Sequence, residues 1–446
     1  MRFTTTLALP LLGLTVACGQ GGSGAVDRDA AGGGSPEAST FHADVGSRPQ
    51  GDSGHGSSPD GAKVVDAALD AADATARRDG AGGGPGDAAG ADAAPPVNLD
   101  GGTTIVVAQP ISGTPSPTTT KLNGPGVILM GGGTDVDAAF VWMHDTIAGS
   151  AATTMGNIVV FNCQSAPPAA PDNGYTPYIY GLAPFQSVQT IYLGGDPKDP
   201  NSAAPATATD LEIAAYYVNR ADGVFFSGGD QADYVWWKGS PLMAAITALY
   251  NRGGVIGGTS AGCSILGPYV FDDIAADNAG LSVATADAVA NPYEPGISFT
   301  QDMLSFPSLP HVFTDPHFVT RDRFGRLAAF LARQYADGVA GSGVVGVGID
   351  ESNALLVDKN GKATLVQQGG GTEATTGTGA YVLQPSGAAM TCTSGKPLLY
   401  DGIKVTRLVN PATDSFDFSA GTGTGTALTV KVNGATSASL YSPSPY

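Results

Sequence analysis

The chain has 446 residues, 42% of them hydrophobic, enough for one large core or two modest ones. A formal net charge of -19 at pH 7 argues against nucleic acid or an anionic membrane surface as the main partner. Glycine (64 residues) and proline (31) are abundant enough that isolated glycine motifs carry little weight.

Residues 1–17 read as a signal peptide, with Arg2 as the positive end and an apolar stretch over Leu7 to Leu14 too short to span a bilayer. Leu14-Thr15-Val16-Ala17-Cys18-Gly19 resembles a bacterial lipobox. Cys18 is therefore expected to be the lipidated first residue of a protein of the cell envelope or extracellular space, touching membrane only through that anchor. Residues 18–104 are Gly, Ala, Ser, Asp and Pro with few large apolar side chains, and read as a disordered linker. His42 and His55 then drop out of any catalytic search. Beyond the linker, Cys163, Cys263 and Cys392 allow at most one disulfide and have no metal-site spacing. No metal or other cofactor is expected.

From Gly126 onward, short apolar runs ending in glycine alternate with helical patterns. The runs are Val127–Met130, Ile158–Phe161, Thr190–Leu193, Val224–Phe226 and Val255–Ile256. Continuous apolar runs suit strands buried on both faces of a parallel sheet. Helices are predicted over Asp135–Ala148, Asp210–Asn219 and Pro241–Tyr250. A further helix through Leu327, Phe330, Leu331 and Tyr335 precedes a strand at Val344–Ile349, placed in the same sheet. The chain then turns β-rich. Ala354–Val357 and Ala363–Val366 flank Asn360-Gly361, a hairpin signal, and strands follow near Ala380–Leu383 and Ile403–Val409. The predicted fold is α/β over 105–418, a doubly wound, mostly parallel sheet with a β-rich C-terminal extension. Residues 419–446 read as a Gly/Thr/Ser-rich tail with one strand at Ala427–Val432.

Gly131-Gly132-Gly133 lacks the third glycine of a dinucleotide fingerprint and the Lys-Ser/Thr of a phosphate loop. Gly258-Thr259-Ser260-Ala261-Gly262 gains meaning from its setting, between a buried strand and a helical stretch. Such a turn lifts the Ser260 hydroxyl clear of the backbone and aims helix N–H groups at a developing oxyanion. His144, His311 and His317 are the candidate bases. His144 lies within a helix beside Trp142 and Met143, and His311 follows Pro310 at a loop-to-strand junction. His317 sits in the densest polar cluster, Asp315 to Arg326, where three arginines precede a helix whose N-terminus disfavours cations. That placement suggests that they serve a ligand carboxylate. Asp350 and Glu351 end a strand and are candidates for the acid that orients the imidazole.

Together these motifs resemble the cyanophycinase family of serine peptidases, related to aspartyl dipeptidases and of the class I glutamine-amidotransferase-like fold. The resemblance runs from about Gly126 to Phe418 and includes Gly228-Gly229-Asp230-Gln231, the Ser260 motif, Asp315-Pro316-His317-Phe318 and Gly348-Ile349-Asp350-Glu351. It implies Ser260 as nucleophile, His317 as base, Glu351 as orienting acid, and an oxyanion hole from the N–H groups of Gly229 and Ala261. It implies a substrate pocket lined by Gln231, Asp315, Arg321 and Arg326, with Asp315 meeting a guanidinium. The expected substrate is an aspartate-backbone polymer with arginine side chains, or a related β-aspartyl peptide, cut to β-aspartyl-arginine dipeptides. Two departures bear on the pocket. Pro316 replaces the family's glutamine, and Ala232 to Trp237 replaces its basic and leucine pattern. Two other readings stand beside this one: a catalytically silent surface lipoprotein that binds aspartyl or arginyl peptides, and an α/β-hydrolase esterase. The esterase is disfavoured because its usual order is Ser, acid, His and its His-Gly-Gly-Gly run is absent. Partners beyond the peptide extend at most to a second copy of the chain, since nothing in the sequence fixes the oligomeric state.

Overall fold

A computed structural model describes the backbone of residues 106–107, 111–116, 121–163, 174–195, 205–341, 343–369, 378–385, 390–436 and 439–446. The signal peptide, Cys18 and the linker of 18–104 lie outside these residues.

The apolar runs form the expected strands. Ser187–Tyr192, Asn157–Asn162, Gly223–Phe226, Val255–Thr259 and Gly126–Met130 lie side by side in that order, all parallel. Each is buried along its whole length, the burial that an unbroken apolar run requires. The helices between them begin where local hydrogen bonding lets them. Thr207 and Asp210 form a reciprocal cap, which starts the second predicted helix at Ala208 and lets it run to Arg220. Ser240 caps Pro241–Asn251, with proline in the first turn.

Beside Gly126–Met130 the sheet changes character. Asn353–Asp358 joins it antiparallel, then turns back through the Asn-Gly hairpin into Lys362–Gln367. This hairpin thus extends the same sheet, which has eleven strands among the described residues.

The strand before Asp350 corrects the sequence reading. Val345–Ile349 does not lie in the sheet that carries Ser260. It belongs to a second sheet, parallel to Val312–Pro316 and antiparallel to Ala380–Pro385, which continues through Leu399–Leu408 and Thr426–Asn433. The second sheet lies between two cores: Val347 and Ile349 bury in the same core as the first sheet, while Gly346 and Gly348 leave room on the opposite face for Leu327 and Leu331 of the helix Phe324–Ala336 and for Phe318. An apolar run announces burial, but not which sheet its backbone joins. Only Asp350-Glu351-Ser352 separates Val345–Ile349 from Asn353–Asp358, so the chain steps from one sheet to the other across this turn. Beyond residue 419 the chain adds Thr422–Gly423, Thr426–Asn433 and Tyr441–Ser442. Among the described residues no helix is long and apolar enough to cross a membrane.

Candidate active site

Strand Val255–Thr259 ends at Ser260, whose φ of 52° and ψ of -124° throw the chain sharply into the short helix Ala261–Ser264. This conformation is costly for any residue but glycine, and surrounding packing must hold it. Here the Ser260 N–H donates to the Met130 carbonyl of the neighbouring strand, while the Ser260 carbonyl accepts from the N–H groups of Cys263 and Ser264. Gly262 sits so close to strand Gly223–Phe226 that a Cβ would lie 2.3 Å from the Phe226 carbonyl oxygen. Small residues after the serine are therefore a packing requirement.

Three side chains meet in a line. Ser260 Oγ lies 2.7 Å from His317 Nε2, and His317 Nδ1 lies 2.6 Å from Glu351 Oε1. Each comes from a different part of the fold: the serine from the first sheet, the histidine from the end of Val312–Pro316 in the second, the glutamate from the turn between them. The His317 N–H donates to the Gly131 carbonyl, and the imidazole lies directly over Gly132. Gly132 has a φ of 95°, and a Cβ there would lie 2.3 Å from His317 Cε1. The triple-glycine run that invites comparison with a phosphate loop is the floor beneath the imidazole.

Asp350 and Glu351 are adjacent but serve different neighbours. Glu351 faces the imidazole. Asp350 is buried, and its Oδ1 accepts from the N–H groups of Val319 and Thr320 and from the Thr320 hydroxyl. It thus ties down the loop that follows His317, a role that the sequence offered only as a second strand-end acid. Burial holds the pKa of His317 well below its ordinary value, and Arg321, Arg323 and Arg326 push it the same way. The imidazole is therefore neutral at pH 7, with Nε2 able to accept the serine proton once Nδ1–H is committed to Glu351.

The expected pocket residues divide. Gln231 opens the helix Gln231–Val235 and donates from Nε2 to Asp273 Oδ2 at 3.3 Å. Asp273 was not anticipated; it has a φ of 59° just before the helix Ile274–Ala279, and burial beside Asp230 raises its pKa to about 6. Asp315, expected to meet a substrate guanidinium, is only 2% exposed and already held. Arg326 grips it through Nε at 2.9 Å and Nη2 at 2.5 Å, and Arg323 Nη1 approaches at 3.4 Å. A carboxylate this buried needs a fixed cation, and two of the three arginines supply it. Arg326 is itself buried and donates to the Val283 carbonyl, so Asp315 and Arg326 face each other. Arg321 is exposed, on the turn after His317. Burial and its arginine neighbour lower the pKa of Arg323 to about 9. Gly229, with a φ of 136°, stands exposed after strand Gly223–Phe226, and Ala261 is the first helical residue beyond Ser260.

The rival histidines lie elsewhere. His144 is fully buried, bonded to Asp145 and to the Thr153 carbonyl, with its ring edge-on to Phe185. His311 is exposed before strand Val312–Pro316, at the opposite end from His317. Cys163, Cys263 and Cys392 are free thiols. Among the described residues no group of three or more His, Cys, Asp or Glu is arranged to hold a metal ion.

No protein-family model matches this chain. Two solved structures are similar in outline at low scores. One is a peptidase from an acI-B1 actinobacterium (15% identical, TM-score 0.36, covering 63% of this chain and 98% of that one). The other is a putative peptidase E from Listeria monocytogenes (13%, TM-score 0.33, 55% and 98%). Among curated proteins, the chain is similar to a cyanophycinase of Synechococcus elongatus, 26% identical over 154 residues, which is 34% of this chain and 41% of that protein. It is similar also to a cyanophycinase of Nostoc sp., 28% identical over 149 residues, 33% of this chain and 43% of that protein. The chain thus matches less than half the length of the curated cyanophycinases to which it is similar.

Proposed function

We propose that this chain is a serine-type exopeptidase, exported and lipid-anchored through Cys18, that hydrolyses cyanophycin or related β-aspartyl peptides. The observation that carries the reading is the unbroken line from Ser260 Oγ through the His317 imidazole to Glu351. The similarity to cyanophycinases supports the substrate class. Ser260 Oγ attacks the scissile carbonyl carbon as its proton passes to His317 Nε2. Glu351 stabilises the imidazolium that forms. The backbone N–H groups of Gly229 and Ala261 receive the oxyanion. The tetrahedral adduct collapses as the His317 proton passes to the leaving amine, giving an ester at Ser260. Water, deprotonated by His317, then releases the second product. Arg321 supplies a fork for a substrate carboxylate.

The test compares the wild type with Ser260→Ala on cyanophycin and on short β-aspartyl peptides, with products followed by mass spectrometry. Wild-type protein is expected to release dipeptides and to react with a fluorophosphonate at Ser260. The variant should lose about 10³-fold or more in kcat. Equal rates for the two proteins would overturn the assignment, and saturable peptide binding without turnover would identify a binding protein instead.

A further inference from the structure

Strand Val312–Pro316 alternates between two surroundings. Phe313 and Asp315 face the helix Phe324–Ala336, the first packed on Phe330 and the second gripped by Arg326. Val312 and Thr314 take the opposite face, where Val312 buries in the core shared with the first sheet, as do Val347 and Ile349 of the paired strand. Thr314 is only 2% exposed there. A buried hydroxyl costs stability unless it finds an acceptor, and valine would fill the same space without that cost.

The acceptors belong to the turn that carries the candidate nucleophile. Thr314 Oγ1 donates to the Cys263 carbonyl at 2.8 Å and shares its proton with the Ser264 carbonyl at 3.1 Å. Ala261–Ser264 is a single helical turn, which cannot satisfy its own last carbonyls, and a side chain of the second sheet supplies a donor. The start of that turn is tied to its end, because the Ser260 carbonyl accepts from the N–H groups of Cys263 and Ser264. Thr314 also stands three residues before His317, on a strand paired with Val345–Ile349 along its whole length. One strand therefore delivers the imidazole and holds the serine's helix.

We infer that Thr314 is a positioning residue for the reaction: its hydroxyl ties the helix that Ser260 opens to the strand that delivers His317, and so sets the approach of Ser260 Oγ to His317 Nε2. This rests on the peptidase reading above and concerns the joint between the two sheets, not the substrate. The backbone makes a second joint, since the carbonyls of Met130 and Gly131 accept from the N–H groups of Ser260 and His317. Those bonds hold the two residues by their main chains. Thr314 holds the far end of the serine's helix, and with it the direction in which Oγ points. Proton transfer is sensitive to that direction, since a misplacement of about 1 Å can cost about a hundredfold in rate.

Two variants separate the hydroxyl from the shape. Thr314→Val keeps the branched shape and removes the hydroxyl, whereas Thr314→Ser keeps the hydroxyl and removes a methyl group. Both are assayed beside the wild type for kcat and KM on β-aspartyl peptides, using protein shown to be folded by near-UV circular dichroism. The valine variant is expected to lose roughly tenfold or more in kcat with KM within about twofold of wild type, and the serine variant to stay within about threefold in both. A residue that only fills space predicts the reverse order, because serine leaves a cavity and valine does not. Wild-type kcat in the valine variant, or equal loss in the two variants, would overturn the inference. Deuterium exchange of the backbone amides over 261–266, followed by mass spectrometry, reads the same tie without turnover. Exchange should be faster than wild type in the valine variant and unchanged in the serine variant; one rate in all three proteins would overturn the tie. Wild-type protein that cleaves no β-aspartyl peptide while keeping the expected exchange pattern would overturn the peptidase reading and leave the tie standing.

Discussion

An imidazole works as a base only if its unprotonated form dominates at the working pH. Burial and three arginines secure this for His317, with Arg321, Arg323 and Arg326 all opposing a second proton. The acid limb of the kcat–pH profile is therefore expected below the ordinary histidine value of about 6.5. Arg321→Gln removes one opposing cation and should move that limb upward; an unmoved limb would remove the electrostatic argument. The same shift fixes the sign for stability. Below about pH 6.5 the unfolded chain takes up a proton that folded His317 still refuses, so stability falls as pH drops from there until the folded imidazole also titrates. At this scale Ser260 and His317 could be picked out as polar residues at strand ends, whereas strand-end position did not separate Glu351 from Asp350, and only the family resemblance chose between them. The floor at Gly132 and the loop tie at Asp350 were not legible, because both depend on segments that meet only in the folded chain.

Among the elements, the helix Phe324–Ala336 shows how a charge pattern can mislead. Arg321, Arg323 and Arg326 before and within its first turn read as a ligand grip because cations disfavour a helix N-terminus. Arg326 instead neutralises Asp315 beneath the helix, and the ion pair joins the helix to strand Val312–Pro316, which leads into His317. Arg326→Ala would strand a buried carboxylate and should cost about 3–5 kcal/mol in a urea titration. Removing both charges with Asp315→Asn and Arg326→Met together should recover part of that loss. A single variant within about 0.5 kcal/mol of wild type would show that the pair is not what holds the helix. Helix starts with local caps, such as Thr207 and Ser240, were legible to within two residues. The partner of a buried charge eleven positions away was not.

Across the whole molecule, the candidate site is assembled from two sheets, so anything that fixes the second sheet's loops fixes the catalytic geometry. The sequence could not show this, because strands of both sheets share the same apolar code and alternate along the chain. Nor did the Gly/Thr/Ser-rich composition after 419 reveal that this stretch reaches the site's supporting helix. Phe324–Ala336 has no side-chain cap at Arg323. Its first N–H groups find acceptors in residues more than a hundred positions away: Phe324 donates to the Tyr446 hydroxyl at 3.0 Å and Gly325 to that of Tyr441 at 3.2 Å. Both hydroxyls donate in turn to Asp322 Oδ1, on the turn that carries Arg321 and Arg323. Their rings close over Phe324, and Tyr446 also meets Phe318, the residue after His317. Replacing both with phenylalanine keeps the rings and removes only the hydroxyls. Each helix amide left without an acceptor should cost about 1–3 kcal/mol, and a loosened Arg321–Arg323 turn should lower kcat/KM several-fold. Tyr441→Phe with Tyr446→Phe is therefore expected to shift the urea midpoint and the rate together. A double variant that matches wild type in both would mean that the turn beside His317 is held by its own segment alone.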